Sequence, residues 1–156
     1  MNWVIKNSKK IKYQTDLAEI LRPIWNDLLQ YSWIITDFDF ITDSEIPLNF
    51  EKDFFFLDRS NFEKILKSDT QIIWGIISAV KNDYKINPKD ILKLSCESNK
   101  VWKEDIFLIP KSILEIVAFD SGYTILKFKE NELSEKFRNY FAKDAIELQK
   151  FNKSFG

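Results

Sequence analysis

Asp37-Phe38-Asp39 is the stretch of this sequence closest to a chemical motif. On a strand, alternate residues point to the same face, so the two carboxylates would stand side by side and could hold Mg²⁺ or Mn²⁺ through oxygen. Asp43 and Glu45 follow closely, but the further placed ligands that such an ion requires are not evident. Cys96, the sole cysteine, would need a basic partner to act as a nucleophile. The sequence has no histidine, which removes that partner together with His-containing triads and the HExxH zinc arrangement. Ser121 beside Gly122 reads as turn chemistry. With glycines only at 75, 122 and 156, neither a Walker loop nor a dinucleotide fingerprint can be written. No residue pattern dictates a reaction, and the expectation is a protein that is not an enzyme and carries no cofactor.

Charge is the stronger asymmetry. Between residues 37 and 58, Asp37, Asp39, Asp43, Glu45, Glu51, Asp53 and Asp58 are opposed by Lys52 alone, although the whole chain carries a net charge of only −1. Positive charge is denser over 6–12 and 81–93. If the acids share a face, they would attract a basic partner and speed its encounter. With a sequence pI near 5.6, no global positive field holds the protein on nucleic acid or anionic lipid, and either would need a local patch. Aromatics are 15% of the chain, yet most fall on expected core faces, without the interleaved Lys/Arg stripe of a single-strand-binding groove. Trp33, Trp102 and Tyr123 have no assigned face; tryptophan and tyrosine often anchor interfaces.

The elements that must position these residues follow from periodicity. The run 71–80 is apolar at both alternating sets, with Ile72/Trp74/Ile76 opposite Ile73/Gly75/Ile77/Ala79, which predicts an interior strand covered on both faces. Leu17, Ile20, Leu21, Ile24, Trp25, Leu28 and Leu29 predict a helix over 15–29, kinked or split near 19–22 because Pro23 removes a backbone donor. Strands are expected at 3–6, 32–40 and 53–57, and Ser60 with Glu63 is expected to cap the helix that follows. The stretch 81–104 resists assignment. Residues 112–119 and 123–129 predict a hairpin with positive φ at Gly122. A long helix from about 130, with Leu133, Phe137, Tyr140, Phe141, Leu148 and Phe151 on one side, is expected to break near Ala142. The fold expected is a single α+β domain over 1–156, a mixed or mostly antiparallel sheet of about five or six strands with two main helices. With one cysteine, no signal-peptide core in 1–13 and no apolar run of membrane-spanning length, a cytoplasmic protein is expected, with no membrane partner and no direct contact with nucleic acid.

Ile20-Leu-Arg-Pro-Ile24 leading to Tyr31-Ser-Trp-Ile-Ile35, and Leu114-Glu-Ile-Val-Ala-Phe-Asp-Ser-Gly-Tyr-Thr-Ile125 leading into Glu132-Leu-Ser-Glu-Lys-Phe137, together resemble a family of small bacterial proteins. More loosely, they resemble the immunity proteins encoded beside polymorphic or contact-dependent toxins. The resemblance spans about two-thirds of the chain and transfers no functional residue. It implies a single-domain protein, monomer or weak dimer, that binds one cognate toxin domain, a nuclease by expectation, and covers its active or substrate-binding surface. Asp37, Asp39, Asp43, Glu45, Glu51 and Asp53 are then the expected charges, with Trp33 and Trp102 as anchors. The alternatives are a small-ligand or regulatory binding module with its pocket between sheet and helices, and a metal-dependent enzyme using Asp37 and Asp39.

Overall fold

The structure, a computed structural model, describes residues 1–155. Its centre is an antiparallel sheet of seven strands in the order β3-β2-β4-β5-β6-β1-β7. These are β1 (Trp3–Ile5), β2 (Tyr31–Thr42), β3 (Phe54–Leu57), β4 (Thr70–Lys81), β5 (Leu114–Phe119), β6 (Tyr123–Phe128) and β7 (Ala145–Glu147). Five α-helices accompany them: α1 (Leu17–Leu21), α2 (Arg59–Lys67), α3 (Pro88–Leu92), α4 (Asn131–Phe141) and α5 (Leu148–Phe155). The α+β class and the antiparallel pairing agree with expectation, and the strand and helix counts are higher.

The doubly apolar run 71–80 lies within β4, paired to β2 on one side and β5 on the other. Successive residues of a strand face opposite ways, so Ile34 and Ile35, Ile76 and Ile77, and Ile125 and Leu126 each split between two cores. One face carries Trp3, Ile35, Ile77, Ile116 and Leu126 beneath α1, α2 and α4. On the other, Val4, Ile34, Ile76, Val117 and Ile125 lie beneath α5 and the 82–113 segment.

Local departures from expectation have local causes. The expected helix over 15–29 is α1 followed by a 3-10 helix at Arg22–Leu28, with Pro23 in its first turn. Asp58, not Ser60, caps α2, its Oδ1 accepting from Asn61 N–H at 2.8 Å. In the β5–β6 turn the positive φ values belong to Asp120 (49°) and Ser121 (56°), not to Gly122. The long C-terminal helix ends where expected, at Ala142 with φ 50°. The chain then makes a 3-10 turn and enters β7, whose three residues pair with β1.

Side chains of the sheet hold the backbone at the end of the 81–104 stretch and just beyond it, over 100–109. Glu115 on β5 stands in register between Ser78 on β4 and Lys127 on β6, and all three are fully buried. Glu115 Oε1 accepts from Leu108 N–H at 2.6 Å and Ile109 N–H at 3.4 Å. Lys127 Nζ donates to the carbonyls of Lys100 at 2.9 Å and Ile106 at 2.8 Å. Asn2 Nδ2 donates to the Glu104 carbonyl at 2.7 Å. Irregular buried backbone needs such partners, because each orphaned polar group costs about as much as a lost hydrogen bond. Burial pushes the Glu115 carboxyl up to about 7 and the Lys127 ammonium down, each against the pull of the other. Desolvation therefore outweighs attraction at this pair.

Because the Glu115 carboxyl is raised from 4.5 to about 7, the native chain holds its proton more tightly than the unfolded chain does. Its contribution to stability is complete below pH 4.5 and is lost as pH rises through 7, a span worth on the order of 3 kcal/mol. Urea titrations at pH 4.5, 6 and 8 should show the gap between wild type and Glu115→Gln changing by that order, the variant losing less as pH rises. Lys127→Met should destabilise by roughly 3–5 kcal/mol at pH 8, where Glu115 is ionised, since it strips a donor from two carbonyls and leaves that carboxylate without its counter-charge.

Candidate functional site

The acidic stretch occupies the β2–β3 margin of the sheet, where β2 is irregular. From Thr36↔Ile76 to Asp39↔Trp74, β2 spends three residues against two on β4. The surplus is taken up at Asp37, with φ 50°. A positive φ at an aspartate costs of order 1 kcal/mol or more, and here the carboxylate gains a bond, Oδ2 accepting from Cys96 N–H at 2.8 Å. The bulge also lays Phe38 over Gly75, where an added Cβ would stand 3.1 Å from the ring. One step further the register shifts again, with Ile73 extra on β4, and its carbonyl accepts from Ser121 N–H at 2.9 Å.

Beyond β2, residues 43–53 fold back toward the sheet. Leu48 is buried in the core, and Phe50 stacks on Phe40, which stacks on Phe38, at 5.9 and 4.6 Å between ring centres. This leaves Ile41 61%, Phe50 66% and Phe56 41% exposed. Asp39, Asp43, Glu45, Glu51 and Asp53 are exposed along the same margin, and among the described residues none makes an ion pair. The margin thus presents unneutralised carboxylates interleaved with bare apolar side chains. Asp37 is exposed too, but its carboxylate is already engaged in holding the 95–97 turn.

The two expected anchors part company. Trp33 is fully buried, stacked 4.0 Å from Phe62 and 6.2 Å from Trp25. It has no surface to offer in this fold and is a core residue, because it faces the helical layer from β2. Trp102 is half-buried, its ring lying against Phe119, Tyr123 and Phe151 at 5.8 to 5.9 Å. Trp74, 4.7 Å from Phe119, extends this aromatic group to the strand position opposite Asp39. Ile41, Phe50 and Phe56 carried no signal in the sequence, since apolar residues in strand-like runs read as core.

Cys96 is fully buried, its thiol donating toward the Asp37 carbonyl at 3.8 Å, and burial beside Asp37 drives its ionisation well above the usual range. Among the described residues no group of three or more His, Cys, Asp or Glu could hold a metal ion, so Asp37 and Asp39 acquire no further ligands. Grooves open where helices meet the sheet, at α4 and β7 beside Arg138, Ala142 and Ile146 and, smaller, between α1, α2 and β4 beside Leu17, Ile65 and Ile72, and others lie at strand ends and loops. Among the described residues no helix is long and apolar enough to cross a membrane. No family model, curated protein or solved structure matches the chain.

Trp33→Ala should cost roughly 3–5 kcal/mol in denaturant titration, and Trp102→Ala clearly less, because the latter ring is already partly in water. Native protein should react with a thiol reagent such as DTNB only at its unfolding rate, and immediately in 6 M guanidinium. Rapid native labelling would contradict the buried, neutral thiol.

Proposed function

We propose that this chain is an immunity-type binding protein that neutralises a cognate bacterial toxin domain, a nuclease by preference, by covering its active or substrate-binding surface. It acts by binding and not by catalysis, as a monomer or weak dimer. The observation that carries the reading is the β2–β3 margin, where Asp39, Asp43, Glu45, Glu51 and Asp53 stand exposed and unpaired beside Ile41, Phe50 and Phe56. A nuclease must attract phosphates, and a row of carboxylates offers the same sign of charge to the same basic surface. The apolar side chains supply the desolvated contact from which most binding energy comes, and Trp102 with its aromatic neighbours is the remaining candidate anchor. With Cys96 buried and no metal cluster among the described residues, this surface is the most distinctive chemical feature on that side of the sheet.

The test is co-expression with the toxin-like fragment encoded beside this chain, scored by growth rescue and by co-elution on sizing. Converting Asp39, Asp43, Glu45, Glu51 and Asp53 to lysine should abolish rescue and slow association by roughly ten- to a thousandfold at low salt. Unchanged affinity in that variant would remove the acidic margin from the interface. Phe50→Ala with Phe56→Ala should instead speed dissociation while leaving the association rate within a few-fold of wild type.

A further inference from the structure

The far ends of β4, β5 and β6 gather lysines that are distant in sequence. A groove of about 800 Å³ is lined by Lys81, Lys85, Lys111 and Lys129, with Asp83, Tyr84 and Pro110 completing it. Its volume falls in the range of small-molecule sites, about 300–1,000 Å³. The backbone that carries the lysines is fixed by hydrogen bonds. A turn bonds Tyr84 N–H to the Lys81 carbonyl at 3.0 Å, and another bonds Ser112 N–H to that of Ile109 at 3.0 Å. Ile113 N–H then donates to the Ala79 carbonyl at 2.9 Å, and Lys129 N–H to that of Ile113 at 3.1 Å, tying both turns to the strand ends.

The side chains are less committed than the backbone. Lys81, Lys85 and Lys111 make no hydrogen bond or ion pair through their ammonium groups among the described residues, and Asp83 is the one carboxylate in the lining. Lys129 Nζ donates to the Pro110 carbonyl and sits 4.9 Å from the centre of the Phe107 ring. Four ammonium groups against one carboxylate leave a local charge of about +3 in a chain whose net charge is −1. Like charges held this close repel one another, and an anion in the groove would relieve that repulsion. The lining contains no arginine fork for planar bidentate recognition of a carboxylate, whereas lysines serve dense, tetrahedral anions as point charges. Tyr84, half-buried against Ile34, Val80 and Ile91, presents an aromatic edge at the same place.

We propose that this groove is a binding site for a linear oligophosphate, either inorganic or borne on a nucleotide, held by Lys81, Lys85, Lys111 and Lys129. The site is independent of the acidic margin and of the toxin-binding reading. Its occupant bridges three chain segments, so binding should stabilise the fold as well as fill the groove.

Titration of the full chain with inorganic tripolyphosphate, followed by amide NMR and calorimetry at low salt, tests the site. Saturable shifts are expected at Asn82–Lys85 and at Lys111, with affinity falling as salt is raised. Lys85→Gln with Lys111→Gln should weaken binding by roughly tenfold or more, and the matching arginine pair should restore most of it. ATP and adenosine form the comparison: ATP binding more tightly than tripolyphosphate adds Tyr84 as a base contact, equal binding assigns recognition to phosphate alone, and adenosine alone should not bind. Shifts that never saturate, or an equal loss in Lys64→Gln with Lys67→Gln on the exposed side of α2, would overturn the proposal. The two glutamine substitutions remove no intramolecular bond, so circular dichroism should be unchanged and the loss is read as loss of the site.

Discussion

The buried pair Glu115 and Lys127 is the constraint on which the second face of this protein depends. Each sits in the interior of a strand with an ionisable group held out of water, a placement that desolvation opposes. What offsets the cost is geometric: between them they occupy backbone donors at Leu108 and Ile109 and backbone acceptors at Lys100 and Ile106. A segment with one short helix and one 3-10 turn cannot satisfy its own backbone as a strand or long helix does. Held this way, it can lie on the sheet and bury Ile34, Ile76 and Val117 on the face away from α1, α2 and α4.

The same segment reaches both functional candidates. Midway along it Cys96 N–H bonds the Asp37 carboxylate at the bulge beyond which β2 carries its exposed acids. Near its end the 109–112 turn places Pro110 and Lys111 beside Lys81 and Lys129. Asp37 and Cys96 therefore matter to the acidic margin as supports.

Charge is segregated accordingly. Carboxylates collect where β2 and β3 leave the sheet open, and lysines where β4, β5 and β6 end. The near-neutral total conceals two fields of opposite sign, each acting over about a Debye length. Under the two proposals a basic protein would meet one margin and a small anion the other.

The sequence by itself determined the α+β class, the interior place of the 71–80 strand, the β5–β6 hairpin and the end of the long helix at Ala142, since apolar periodicity and turn chemistry are local properties. It also gave the acidic stretch, because those residues are neighbours in the chain. Tertiary structure alone decided that Trp33 is core and Trp102 is half-exposed, for the face of an aromatic depends on what packs against its strand. β7 was hidden because three residues in a helical-looking stretch pair only when β1 is beside them. The lysine groove and the Glu115–Lys127 pair were equally out of reach. Both join residues that become neighbours only through strand pairing and turn placement, and no single stretch of sequence encodes that proximity.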